Sequence, residues 1–146
     1  MITKKNITSN IFSKAEITIR FSDVDSMGIV WHGNYVKYFE DGREAFGLEH
    51  GMHYLDVYKN GYFTPIVNIE CNYKNPLRYG EKVIIETYYI DSEAAKIIHE
   101  YKLYRQSNNE LVATGSSTQV FLNINGDLEL TIPKFFQDWK RKKGLK

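Results

Sequence analysis

One helical stripe set among alternating segments most constrains how this chain can fold. Tyr35, Phe39, Gly42 and Phe46 recur at spacings of four, three and four residues, which places them on one face of a helix. We predict this helix over roughly 33–48, followed by glycines that act as stop signals. It is the only long helical pattern, so the other elements must be arranged around it.

The segments on either side alternate apolar and polar residues, which is typical of strands with one buried face. The predicted strands cover 15–21, 67–74, 82–90, 96–105 and 111–122. Asn-Gly at 125–126 indicates a hairpin, and Pro133 should begin a short C-terminal helix. Short turns favour antiparallel neighbours. We therefore predict an α+β fold in which one antiparallel sheet curls around a central helix.

Length and composition fit a single domain, 1–146, with 1–13 as a loose N-terminal arm. Nineteen basic residues face eighteen acidic ones, for a net charge of +1, which argues against a nucleic-acid partner. There is no run of about 18 apolar residues and no apolar stretch of signal-peptide length at the N-terminus, so we expect no membrane span. With one cysteine, the simplest expectation is a cytoplasmic protein.

The most informative motif connects the first strand to the helix. IRFSDVDSMGIVWHGNYVKYFEDGREAF, residues 19–46, contains D-x-D-x-x-G-x-V, an aromatic residue, Asn-Tyr and an aromatic-acidic run along the helix. This stretch resembles the hotdog-fold acyl-CoA thioesterases, specifically the 4-hydroxybenzoyl-CoA thioesterase and YbgC-like branch. Weaker similarity continues through 64–85 and 113–122.

The resemblance implies a hotdog fold and hydrolysis of an acyl-CoA to the free acid and CoA, with no cofactor beyond the CoA of the substrate. It also explains why apolar residues interrupt a loop rich in Asp, Gly and Asn. The loop should pack against the helix start, with Val30 and Trp31 as a hydrophobic wedge.

The resemblance assigns Asp25 as the catalytic acid, either as the nucleophile or as a base that activates water. Backbone N–H groups near His32 and Gly33 would bind the oxyanion, because the first amides of a helix lack intrahelical partners. Gly28 would allow the tight bend between them. We interpret Asp23 as a capping or turn residue.

Other site residues are assigned more loosely. His32 either orients the thioester or water, or only hydrogen-bonds across the loop. Tyr35 is expected in the core and as a wall of the acyl pocket. The resemblance suggests that the neighbouring subunit contributes Thr64, Pro65 and Ile66 to that pocket. Lys96 is a candidate contact for a CoA phosphate, and Glu40, which can pair with Arg43, is the backup acid.

Two other patterns carry less weight. His50 and His53 are three apart, without further ligands that would indicate a metal site. Cys71 lies on the apolar face of a predicted strand, which favours core packing over nucleophilic catalysis.

Several questions stay open in the sequence. A hotdog hydratase or dehydratase, and a non-catalytic acyl-CoA-binding module, are the alternative functions. The acyl chain, and the choice between CoA and an acyl-carrier-protein thioester, cannot be read from these residues. Because a single wrapped sheet leaves an edge and an incomplete pocket, we expect a homodimer or a homotetramer with sites at the interface.

Overall fold

The computed structural model describes residues 10–146. The elements in chain order are β1 (Phe12–Thr18), α1 (Asn34–His50), α2 (Tyr54–Lys59), β2 (Tyr62–Phe63), β3 (Ile66–Tyr73), β4 (Lys82–Ile90), β5 (Lys96–Arg105), β6 (Leu111–Val120), β7 (Leu122–Asn123) and α3 (Lys134–Lys142). A 3-10 turn covers Phe21–Asp23. None of the helices within 10–146 is long and apolar enough to cross a membrane.

Five antiparallel strands form one sheet in the order β1-β4-β5-β6-β3, and β2 pairs with β7 beside it. The long helix α1 packs against β1, β4 and β5. This is the predicted arrangement of one sheet around one helix. The edge strands are β1 and β3, and most side chains of β3 are exposed.

The apolar stripe of α1 lies against the sheet, as its spacing predicted. Two glycines allow the close approach. A Cβ on Gly42 would lie 2.3 Å from the Thr87 hydroxyl, and one on Gly115 would lie 2.4 Å from the Phe39 ring. Phe39 in turn stacks on Tyr101, with ring centroids 4.4 Å apart. Helix and sheet are therefore in direct contact at the centre of the core.

The C-terminal helix α3 closes one end of the molecule. Phe136 is completely buried, and it packs with Phe46 of α1 and Trp139 in a second apolar cluster. Trp139 Nε1 donates to the His50 carbonyl oxygen at 2.7 Å. Lys140, also buried, is 3.0 Å from Asp91. Pro133 precedes this helix, as predicted.

The first strand differs from its prediction. It begins at Phe12 and ends at Thr18, so the predicted arm 1–13 overlaps it, and Ser13 is buried. The rest of that arm, 1–9, lies outside the described residues. Phe21, expected at the strand end, lies in the 3-10 turn with 75% of its surface exposed. The predicted inward parity of Ala15 and Ile17 is kept and extends back to Ser13, but the chain leaves the sheet before Phe21.

The last predicted hairpin is only partly formed. The turn at Asn125-Gly126 is present, but Leu122 and Leu128 make a single bridge instead of two paired strands. Neither α2 nor β2 was predicted. His53 caps α2 with its imidazole. Because histidine is not one of the usual N-cap residues, the start of this helix was not recognised.

Candidate active site

A loop between the 3-10 turn and α1 carries the predicted catalytic acid. The Asp25 carbonyl oxygen accepts from Gly28 N at 2.9 Å, and its Oδ1 accepts from Met27 N at 2.8 Å. Gly28 has a φ of 78°, the left-handed conformation that glycine tolerates best. One carboxylate oxygen is thus held by the loop, and within residues 10–146 no hydrogen bond is recorded for Oδ2.

The other acid of the motif has no such freedom. Asp23 is buried, and its two carboxylate oxygens accept hydrogen bonds from the backbone and the guanidinium of Arg20. Burial raises the pKa of Asp23, but the hydrogen bonds and charge of Arg20 outweigh burial, so this pKa lies below its ordinary value. Asp23 therefore anchors the turn, in agreement with its interpretation as a structural residue.

The loop docks on the helix start through its backbone. The Asp23 carbonyl oxygen accepts from Trp31 N at 3.0 Å and from Asn34 Nδ2 at 2.8 Å. Val30 is buried, as expected of a wedge, but Trp31 is 51% exposed, so the prediction that both residues pack inward was wrong for Trp31. The indole lies over Gly33, where a Cβ would be 2.1 Å from the ring.

Two backbone amides are left over at the N-terminus of α1. Asn34 N donates to the Trp31 carbonyl oxygen, and Tyr35 N donates to that of His32. For His32 N and Gly33 N, no acceptor is recorded within residues 10–146. These amides lie at the positive end of the helix dipole, so they can donate to an anion.

Asp25 and His32 line the same hollow of about 300 Å³, called here the loop hollow. Tyr35 and Tyr73 form its aromatic wall, with ring centroids 4.9 Å apart in an edge contact. The Tyr73 hydroxyl donates to the His32 carbonyl oxygen at 2.9 Å. Burial raises the pKa of Tyr35 to about 12, which keeps its hydroxyl neutral. The loop hollow thus combines the Asp25 carboxylate and His32 with an aromatic wall.

Several other predicted site residues surround a second and larger cavity of about 930 Å³. Glu40, Thr64 and Pro65 line this cavity. The rest of its wall comes from the C-terminal half of α1, from α2, and from the inner faces of β5 and β6. Glu40 lies 4.0 Å from Arg43, the expected pair at the limit of an ion pair. Thr64 accepts hydrogen bonds from the Gln119 side chain. Within one protomer these residues do not share the loop hollow.

Lys96 and Ile66 lie further from Asp25. Lys96 begins β5 and is exposed, and Ile66 begins β3. Both positions are at the end of the sheet opposite Tyr73, a separation of roughly 20 Å along a strand. A single protomer therefore does not bring Lys96 to the predicted catalytic acid.

Sequence reasoning missed a buried histidine. His99 on β5 is 5% exposed and lines the larger cavity, called here the His99 cavity. Neither of its ring nitrogens has a hydrogen-bond partner among the described residues. The signal was available, because His99 alternates with the inward-facing Ile97, Tyr101 and Leu103 as a polar residue on an apolar face.

His50 and His53 make structural contacts. His50 contacts the Phe12 carbonyl oxygen and the Lys143 ammonium through its two ring nitrogens, and His53 caps α2. Cys71 is half-buried against the main core, and burial raises the pKa of its thiol. These surroundings fit packing and capping functions.

Comparison with known proteins identifies the family of this chain. Residues 19–140 match the family model of the Thioesterase-like superfamily. The Bacillus subtilis protein named "Putative acyl-CoA thioesterase YneP" is 35% identical over 127 residues, which cover 87% of this chain and 91% of that one. The DHNA-CoA thioesterase of Staphylococcus aureus superposes with a TM-score of 0.81 at 28% identity, covering 91% of this chain and 89% of that one.

A 4-hydroxybenzoyl-CoA thioesterase mutant bound to 4-hydroxybenzoyl-CoA superposes with a TM-score of 0.77 at 20% identity, covering 88% of this chain and 98% of that one. The fold is therefore the hotdog fold, as the resemblance implied. The chain belongs to the thioesterase-like superfamily, and it is a thioester hydrolase.

Proposed function

We propose that this protein hydrolyses acyl-CoA thioesters to the free acid and CoA, with Asp25 as the reacting carboxylate. The observation that carries the proposal is the loop hollow, which Asp25 and His32 line together beside the start of α1, with one Asp25 oxygen held by Met27 N and the other without a hydrogen bond within residues 10–146. Asp23 is a poor candidate because Arg20 already occupies both of its oxygens.

Two roles are open to Asp25. As a general base, it takes a proton from water, which adds to the thioester carbon, and the C–S bond then breaks with the proton passing to the CoA sulfur. As a nucleophile, its oxygen replaces sulfur at that carbon, and water then hydrolyses the resulting mixed anhydride. Met27 N orients the carboxylate for either role.

Both roles place a negative charge on the former carbonyl oxygen in the transition state. The amides of His32 and Gly33 are suited to hold that oxygen because neither has an acceptor in the part of the chain that the structure describes. The His32 ring lies beside Trp31, with centroids 4.9 Å apart, at the exposed mouth of the loop. There it can orient the thioester or a water molecule.

We propose a homodimer formed through the edge of β3, and a homotetramer would be formed by two such dimers. Most side chains of this eight-residue edge strand are exposed, which a monomer has to protect from unwanted pairing. Antiparallel pairing about a two-fold axis sets the Ile66 end of one β3 beside the Tyr73 end of the other. The loop hollow then adjoins Thr64 and Pro65 of the partner subunit.

The same pairing accounts for Lys96. At the far end of its own sheet it is remote from Asp25, but in the dimer it approaches the partner's loop hollow. An exposed lysine there is suited to a CoA phosphate.

The test measures thiol release from short aliphatic, long aliphatic and aromatic acyl-CoAs, and from an acyl-carrier-protein thioester. Asp25→Asn keeps the shape of the side chain and removes its charge, and we expect kcat/KM to fall by about 1,000-fold. Asp127→Asn is the matched control, since Asp127 is exposed in the turn after β7, and it should leave the rate unchanged.

Glu40→Gln completes the set. Equal rates for native protein and Asp25→Asn, with a loss in Glu40→Gln, would move the catalytic acid to α1. Binding of CoA esters without thiol release from any of them would instead support the acyl-CoA-binding module.

A further inference from the structure

Tyr73 joins the sheet to the peptide group that leads into α1. This tyrosine is the last residue of β3, and its hydroxyl donates to the His32 carbonyl oxygen at 2.9 Å. Among the hydrogen bonds recorded within residues 10–146, it is the one that runs from a strand of the sheet to the backbone of residues 31–33. The end of the loop that carries the proposed oxyanion amides is therefore tied to β3 by one side chain.

The bonded carbonyl belongs to the same peptide group as the Gly33 amide. That peptide bond is trans, and in a trans peptide the C=O and N–H lie in one plane and point in opposite directions. A hydrogen bond that holds the His32 carbonyl therefore also fixes the direction of Gly33 N–H. Donation to the carbonyl oxygen polarises the peptide as well, which strengthens its N–H as a donor.

This peptide group has weaker support from α1 itself. Tyr35 N donates to the same His32 oxygen at 3.3 Å, a longer bond than the one from Tyr73. The peptide on the other side of His32 is held separately, since Asn34 N donates to the Trp31 carbonyl oxygen at 2.9 Å. Loss of the Tyr73 hydroxyl would therefore loosen one peptide plane while the neighbouring plane stays in place.

The ring of Tyr73 is positioned independently of its hydroxyl. It makes edge contacts with the rings of Tyr35 and His32, at centroid distances of 4.9 and 6.4 Å. Burial, and then the neighbouring Cys71, raise the pKa of Tyr73 above its ordinary value, so the hydroxyl is protonated at neutral pH and acts as the donor. A phenylalanine at this position keeps the ring and loses only that donor.

We propose that Tyr73 is a positioning residue, which holds the His32–Gly33 peptide in the orientation that binds the oxyanion. This role rests on the proposed acyl-CoA hydrolysis, in which the amides of His32 and Gly33 stabilise the transition state. Because the negative charge develops only in the transition state, the Tyr73 hydroxyl contributes to kcat and not to substrate binding.

The first experiment measures kcat and KM of Tyr73→Phe with short aliphatic, long aliphatic and aromatic acyl-CoAs. We expect kcat to fall by about 10-fold at unchanged KM, because the amide is still present but is no longer held in place. The factor should be the same for every acyl group. A native kcat, or a loss that appears only in KM, overturns the role.

Tyr79→Phe is the matched control. It also removes one hydroxyl from a tyrosine that is more than half exposed, and for the Tyr79 hydroxyl no hydrogen bond is recorded within residues 10–146. It should keep the native kcat.

Replacement of Tyr73 by para-aminophenylalanine tests donation directly. The amino group places an N–H donor where the hydroxyl was, so most of kcat should return. A para-amino variant as slow as Tyr73→Phe would contradict the positioning role.

Failure of the proposed function gives a different result, the absence of thiol release from every ester with the native protein. NMR then tests the hydrogen bond itself, through the resonances of the His32 carbonyl carbon and the Gly33 amide nitrogen. Shifts of both in Tyr73→Phe, and of neither in Tyr79→Phe, support the positioning of this peptide by Tyr73, and unchanged resonances overturn it. Circular dichroism of each variant shows that it is folded before its values are used.

Discussion

The two ends of α1 treat their unpaired backbone groups in opposite ways. At the C-terminal end, Gly51 N donates to the Gly47 carbonyl oxygen and Trp139 donates to that of His50, so the helix end is satisfied from within the chain. At the N-terminal end, the amides of His32 and Gly33 have no recorded acceptor among residues 10–146. The C-terminal end of α1 is closed by α3, whereas the N-terminal end carries the two amides that the proposed mechanism uses.

Side-chain burial follows the same division. Phe46 and Phe136 at the closed end are almost fully buried, whereas Phe21 and Trp31 near the open end are 75% and 51% exposed. The closed end contributes more apolar burial to stability, and the open end, where the proposed site lies, contributes less. Stability and chemistry therefore respond to different substitutions in the same helix and its neighbours.

The largest expected effect is on stability at the closed end. Phe136→Ala removes a completely buried ring that contacts Trp139 and Phe121. Urea denaturation should show a loss of about 3–5 kcal/mol in the free energy of unfolding. Phe21→Ala, the same substitution at the open end, should cost under about 1 kcal/mol. Similar losses for the two variants would contradict the division.

The next effect is on activity at the open end. In Gly33→Ala the new methyl group overlaps the Trp31 indole, so the backbone that carries the His32 and Gly33 amides is pushed out of position. We expect thiol release to fall by about 100-fold, comparable to the loss of one oxyanion donor, with little change in the free energy of unfolding.

Trp31→Ala supplies the control for that overlap. The double variant Gly33→Ala/Trp31→Ala should be no less active than Trp31→Ala alone, because the clash has been removed. A further 100-fold loss in the double variant would show that the indole is not the obstacle.

The smallest effect concerns the ion pair that anchors the loop. The pKa of Asp23 lies below its ordinary value in the folded protein. The ionised carboxylate therefore stabilises the fold fully at pH values above the ordinary pKa, and this stabilisation is lost as the pH falls through the lowered pKa. Asp23→Asn should cost about 1–2 kcal/mol at pH 7, and the difference from the native protein should shrink below about pH 4. Unfolding by urea at several pH values measures it. A difference that is constant from pH 7 to pH 3 would rule out this role.

Much of the fold followed from periodicity because burial imposes it. The strands at 82–90 and 96–105 and the stripe of α1 were predicted with their observed bounds or nearly so, since each buries one face against the same core. The first strand was misplaced because Phe21 continues the alternation into a turn. The short helix α2 was missed because only Val57 of it is buried.

The site divides in the same way. Asp25, His32 and Gly33 belong to one continuous motif, so their proximity could be expected from the chain itself. The His99 cavity joins residues from α1, α2, β2, β5 and β6, and only the folded chain brings them together. A polar residue at an inward strand position was visible in the sequence, but whether a neighbour would pair with it was not.

The placement of the indole over Gly33 has a spectroscopic consequence. The chain has two tryptophans, and they lie at different ends of α1, since Trp139 of α3 is buried at the closed end and Trp31 is half-exposed near the loop hollow. Water quenches and red-shifts the emission of an exposed indole, so the two residues emit at different wavelengths. Trp31 is therefore an intrinsic fluorescent reporter for occupancy of the proposed site, with Trp139 as its internal reference.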